Sequence, residues 1–99
     1  MLVNMAEIAV SQMLNSILEN YKRIRPELCT CEKCREDIMA IALNRIPPRY
    51  VSTPKGRTIT SVAYENFGGR AQITAQVIYA IETVMESPRH NETKGQGLE

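Results

Sequence analysis

The sequence predicts an all-α protein: a small bundle of three to four helices, stapled by a structural zinc site and completed as a homodimer. Three observations lead there. Two long segments, Val10 to Tyr21 and Ile73 to Met85, carry apolar residues with a period near 3.6. The apolar content is mostly Ile, Leu, Val, Met and Ala, with four Tyr, one Phe and no Trp, a set that suits helix-on-helix packing. All three cysteines fall within Cys29-Thr30-Cys31-Glu32-Lys33-Cys34, which opens directly into a third periodic segment.

A chain of 99 residues makes one domain at most. It buries roughly 60–70% of its extended surface, so its core alone is marginal and a metal or a partner chain is expected to supplement it. A hydrophobic content of 43% with 23% charged residues is that of a folded domain. The net charge of +1 makes no case for direct binding to duplex DNA. Between Lys22 and Arg57, however, nine basic residues stand against four acids. That excess is either a solvated surface or a site for a small phosphorylated ligand. Asn4 and Glu7 interrupt the opening before a signal sequence can form, and no apolar run approaches the ~20 residues of a membrane span. A cytoplasmic location is expected. There an odd cysteine count argues against a disulfide framework.

Taken in order, Asn4 reads as an N-cap with Glu7 as its reciprocal partner, and Val3 and Ile8 occupy staple positions. The first helix then runs to about Lys22, with Val10, Met13, Leu14, Ile17 and Tyr21 on one stripe, widened by Leu18. Ile8 faces away from that stripe and hints at a second apolar contact. Pro26 stops the helix within a basic connector. A second helix is expected from about Cys31 to Ile46, with Cys31, Cys34, Ile38, Ile41, Ala42 and Arg45 on one face. Pro47-Pro48 ends it, Arg49 to Val51 is extended, and Ser52 to Gly56 is a turn. A short helix from Ile59 to Phe67 is preferred over an extended piece, with a break at Gly68-Gly69. The last helix covers Arg70 to Glu86. Its apolar arc (Ile73, Val77, Ala80, Ile81 and Val84, extended by Thr74, Ile78 and Met85) is wider than one neighbour needs, and predicts burial on two sides, by the chain itself and by a second copy. Residues 1–90 form the expected helical domain and residues 91–99 a disordered tail.

Three thiolates at the start of a helix are a metal-ligand pattern, since the free N–H groups and the helix dipole favour thiolate over thiol. Zinc in structural sites takes four tetrahedral ligands. Cys29, Cys31 and Cys34 supply three, and the single histidine, His90, is the candidate for the fourth. Water, an acid such as Glu32, or a group from a second subunit are its rivals. An iron–sulfur cluster and a redox thiol switch are the rivals of zinc itself. A closed set of four protein ligands leaves no position for substrate. With one histidine, no phosphate-binding loop and no placed carboxylate pair, an enzyme is not expected.

The run from Cys29 to Val51, CTCEKCREDIMAIALNRIPPRYV, resembles the late competence development protein family, ComFB. The opening Leu2-Val3-Asn4 with Glu7-Ile8, and the closing Ala80-Ile81-Glu82 with Ser87-Pro88-Arg89-His90, are similar to the same family. The resemblance spans about residues 2 to 90. It implies a small all-helical homodimer with bound zinc. Some members carry a further cysteine near the C-terminus, where this chain offers His90. Members are also described as receptors for cyclic dinucleotides, and arginine pairs with phosphate and stacks on purines. Arg35, Arg45, Arg49 and Tyr50 are the residues expected to form such a surface, with Arg35 and Arg45 also placed to support the metal site or a dimer interface. The expected function is a non-enzymatic, zinc-binding regulatory module that senses cyclic di-GMP or cyclic di-AMP. The alternatives are an adaptor for protein partners in competence and DNA uptake, with purely structural zinc, and a thiol redox or metal sensor.

Overall fold

The computed structural model describes residues 1–86. In chain order these are a short strand β1 (Val3–Asn4), helix α1 (Met5–Ile24), helix α2 (Glu32–Arg45), a short strand β2 (Tyr50–Val51), helix α3 (Pro54–Glu65) and helix α4 (Phe67–Glu86). The expected helical bundle is present, with four helices among the described residues.

Asn4 caps α1 as expected, and it also does something its local sequence does not reveal. Its Oδ1 accepts from the Ala6 N–H at 3.1 Å and from the Arg49 N–H at 2.9 Å. The Met5 N–H donates to the Arg49 carbonyl at 2.7 Å. Val3 pairs with Val51 and Asn4 with Tyr50 in an antiparallel ladder. The two-residue strands are a correction to a purely helical reading: they satisfy the backbone groups on either side of the cap and tie the chain's start to the segment behind Pro47-Pro48. Replacing Asn4 with Ala removes an acceptor shared by two backbone donors. It is expected to cost about 1.5 kcal/mol, near the upper end for a lost cap, read as a fall in thermal midpoint that Asn4→Asp largely avoids. An unchanged midpoint in Asn4→Ala would show that the clamp contributes nothing.

Helix α1 buries Met5, Ala6, Ala9, Val10, Leu14, Ile17 and Leu18. Met13 and Tyr21, expected on the same stripe, are half-buried at its edge. Helix α2 buries only Cys34, Ile38 and Ala42, one line at four-residue spacing. Arg45 is exposed and Ile41 half-buried, so the buried face is narrower than its sequence suggests. Leu28 and Ile46, which flank α2, are buried as well.

Helix α3 starts at Pro54, inside the segment expected to be a turn. Thr53 is its N-cap, its Oγ1 accepting from the Gly56 N–H at 3.0 Å, and Pro54 occupies the first helical position. Proline is favoured there because its missing N–H has no intrahelical partner anyway. The expected break at Gly68-Gly69 falls instead at Asn66, the single residue between α3 and α4. The Asn66 Oδ1 accepts from the Gly69 N–H at 2.9 Å, which caps α4 and places both glycines in its first turn.

Helix α4 is the centre of the molecule. Ile73, Val77, Ala80 and Ile81 are fully buried, and the helix packs on α1, α2 and α3. The wide apolar arc is thus met largely by three helices of its own chain. The molecule measures only 17 Å in its thinnest direction, room for two layers of helices and no third. Such a slab leaves α3 with one buried residue, Thr60, while Ile59 and Val62 stand 61% and 64% exposed.

Candidate metal centre

The bend after α1 brings the cysteines together. Arg25 caps α1 through its N–H to the Tyr21 carbonyl, Pro26 and Glu27 turn the chain, and Leu28 anchors it in the core at 2% exposure. Cys29 follows, half-buried against the core. Cys31 is exposed and serves as the N-cap of α2, its sulfur accepting from the Cys34 N–H at 3.5 Å. Cys34, one turn on, is 1% exposed and belongs to the apolar core. The three sulfur atoms lie within 4.8 Å of one another.

That geometry suits a metal ion. Thiolates held tetrahedrally at about 2.3 Å from zinc stand roughly 3.8 Å apart, so the trio needs only a slight contraction. The donor set is soft and all-sulfur, which favours zinc or a comparable thiophilic ion over magnesium or calcium. Among the described residues no carboxylate joins the group, and Glu32 is exposed in the first turn of α2. His90 lies outside the described residues, as does the expected tail.

The thiols differ in their surroundings. The Cys34 N–H hydrogen bond, with help from the Cys29 thiol, holds the Cys31 thiol below its ordinary range. Burial, reinforced by the neighbouring sulfurs, pushes the Cys34 thiol up to about 12. A cation at the centre of the trio would reverse that penalty, because a buried thiolate facing a metal ion is a compensated charge. In the protein without metal, Cys34 is a buried thiol.

The four candidate ligand-binding residues do not form one cluster. The Arg35 guanidinium donates to the Asn15 side chain on α1. Arg45, ten residues and about 15 Å further along α2, donates through Nε to the Gln76 Oε1 at 2.7 Å and lies 4.0 Å from the Tyr79 ring centroid. Both join α2 to its neighbours. Arg49 and Tyr50 form a separate exposed pair beyond Pro47-Pro48, with Tyr50 61% exposed. Arg49 is close enough to Tyr64 for its charge to oppose the rise that burial imposes on that phenol.

Sequence reasoning missed one concavity. A cavity of about 330 Å³ opens between α1, α3 and α4, with Ile8, Met13 and Ile73 among its apolar residues and Gln12, Glu65 and Arg70 among its polar ones. The off-stripe position of Ile8 was its one signal in the sequence. No helix among the described residues is long and apolar enough to cross a membrane.

The sequence model of the family described as "Late competence development protein ComFB" matches residues 3–88. The competence protein ComFB of Bacillus subtilis (strain 168) is 30% identical over 91 residues, covering 89% of this chain and 86% of that protein. The solved structure of the late competence protein ComFB from Bacillus subtilis superposes with a TM-score of 0.74 at 27% identity, covering 89% of this chain and 94% of that one.

Proposed function

We infer that this protein, which belongs to the ComFB family of late competence development proteins, is a non-enzymatic regulatory module that holds zinc at Cys29, Cys31 and Cys34 and acts as a homodimer. The observation that carries the reading is the convergence of three sulfur atoms within 4.8 Å at the head of α2. Metal there staples the bend between α1 and α2 to a core that is small for its chain length. His90 is the proposed fourth ligand. The thin slab, with Ile59 and Val62 exposed on α3, supports a partner copy as the cover for that face.

A cyclic dinucleotide is the proposed signal, with Arg49 and Tyr50 its first contacts and Arg35 and Arg45 holding α2 against its neighbours behind them. Arg49 and Tyr50 are adjacent, exposed and held by a backbone clamped to Asn4 and Met5, so little ordering is required on binding. Arginine offers phosphate a bidentate partner and tyrosine offers a purine a stacking face. Arg49→Ala is expected to weaken binding of cyclic di-GMP or cyclic di-AMP at least tenfold, about 1.4 kcal/mol, without lowering the thermal midpoint. Unaltered affinity in a folded Arg49→Ala protein would remove this pair from the site.

A second reading has its own observation. Arg35 and Arg45 are engaged within the fold, while α3 exposes apolar side chains; this favours an adaptor that binds protein partners in competence or DNA uptake. Native mass spectrometry of metal-replete protein, with and without each cyclic dinucleotide, separates the two. A zinc dimer that gains nucleotide mass supports the receptor, and a zinc dimer that gains none supports the adaptor.

A further inference from the structure

Cys31 and Cys34 are separated by one helical turn but occupy opposite environments. Cys31 is exposed at the N-cap, and Cys34 is sealed in the core at 1% exposure. The Cys34 N–H donates to the Cys31 sulfur, which holds that sulfur against the turn carrying its neighbour. The two sulfurs already lie within 4.8 Å of each other, and a disulfide needs Cβ atoms about 4 Å apart, an adjustment that the extended N-cap backbone of Cys31 accommodates without unwinding α2. The third thiol is placed differently. Cys29 sits in the connector, half-buried against the core, and shares no helical turn with either neighbour.

We propose that Cys31 and Cys34 form a redox-responsive dithiol, in which Cys31 is the thiol oxidised by a hydroperoxide and Cys34 closes the disulfide with it. The proposal rests on the metal-centre reading for its consequence, since it identifies how that centre is opened. The Cys31 thiolate attacks one peroxide oxygen and breaks the O–O bond, giving a sulfenic acid at Cys31 and a hydroxide that leaves as water. The Cys34 sulfur then attacks the sulfenic sulfur, forming the S–S bond and expelling hydroxide, which leaves as a second water; its proton comes from the Cys34 thiol in the metal-free protein and from solvent when Cys34 is a metal-bound thiolate. Two thiols and one hydrogen peroxide become one disulfide and two waters; from the zinc-bound pair, two thiolates, one hydrogen peroxide and two protons from solvent become one disulfide, two waters and a released zinc ion. Closing the pair withdraws two of the three thiolates, and Cys29 with the proposed fourth ligand His90 is half of the four-ligand set that a structural zinc site takes, so the ion is released.

The bridge itself constrains almost nothing, because it spans a single turn and closes a very short loop. Its effect on the protein is transmitted by loss of the ion. Exposure also matters: a peroxide reaches Cys31 without any opening of the bundle, whereas Cys34 is reached only through its partner.

The test uses full-length protein loaded with zinc and measured for metal content, then given limiting hydrogen peroxide. Released zinc is read with a chromogenic chelator, and remaining thiols are alkylated before peptide mass mapping. The expected result is one zinc released per chain, a Cys31–Cys34 disulfide, and an alkylated Cys29, with zinc uptake restored by a dithiol reductant. Cys29→Ser retains the bridge. Cys31→Ser, a change at an exposed position, forms none and consumes peroxide about tenfold more slowly. A disulfide that includes Cys29, a bridge between two chains, or release of zinc without any bridge overturns the proposal. If the loaded protein holds no zinc, the metal-centre reading fails, and mapping of the same sample still decides which thiols pair.

Discussion

Treating metal-loaded protein with a strong chelator is expected to lower the thermal midpoint by about 20 °C, and Cys29→Ser to reproduce most of that fall in the presence of zinc. A ligand that binds only the folded state at a thousandfold over its dissociation constant adds about 4 kcal/mol. For a chain near this length each kcal/mol moves the midpoint by about 4–8 °C. The loss concentrates where the staple acts. The connector from Arg25 to Cys31 is held by Leu28, by the Leu28 N–H to the Arg25 carbonyl at 3.0 Å, and by the cysteines; without metal, amide exchange accelerates there and in the first turn of α2. Cys29 is the informative position because it is neither in the helix nor sealed in the core, so serine removes a ligand without opening a cavity. A Cys29→Ser protein with the original metal content and midpoint would remove structural metal from this fold.

The second large effect separates two adjacent glycines. Gly69→Ala is expected to destabilise by about 3 kcal/mol, at the upper end for forced overpacking, and Gly68→Ala to stabilise by up to about 1 kcal/mol. A Cβ on Gly69 would stand 2.8 Å from the carbonyl oxygens of Ala63 and Tyr64 and 2.9 Å from the Tyr64 Cα. All three are backbone atoms of the last turns of α3, and none can step aside as a side chain would. A Cβ on Gly68 meets nothing nearer than the Asn66 Oδ1 at 3.8 Å, so there alanine only reduces the freedom of the unfolded chain. Urea denaturation of both variants reads the difference. Equal effects of the two changes would mean that α3 and α4 do not approach as closely as the geometry requires.

This pair also shows what the sequence conveys and what it withholds. Two consecutive glycines signal punctuation, since each costs about 1 kcal/mol inside a helix. They do not reveal that Asn66 makes the break and that Gly69 exists for a close approach. The turn expected at Ser52 to Gly56 failed in the same way. Thr53-Pro54 reads as a turn when glycine follows, and the same residues are an N-cap and a first helical position once α3 continues. The extended piece at Arg49 to Val51 was legible behind Pro47-Pro48, but its pairing with Val3–Asn4 was not, because two-residue strands are too short to show a period and the partner lies more than forty residues away.

The candidate site divides along the same line. The cysteine trio was legible because its ligands are close in sequence and the helix that follows orders them through local geometry. Arg35, Arg45, Arg49 and Tyr50 were proposed as one surface from residue type alone. Their partners, Asn15, Gln76, Tyr79 and Tyr64, lie on three other helices, and no periodicity in α2 encodes them.

What the sequence by itself determined is therefore local: the helix-forming segments, the cap at Asn4, the stop at Pro26, the buried stripes of α1 and α4 and the metal-ligand spacing. Each depends on backbone sterics or helical period over a few residues. Tertiary structure alone decided that Asn4 also holds Arg49, that α4 buries its wide arc against three helices, that Cys31 faces water while Cys34 lies in the core, and that α3 keeps an apolar face outside. Those outcomes depend on which surfaces meet, and the free energy of burial is assigned only when distant segments of the chain compete for the same small core.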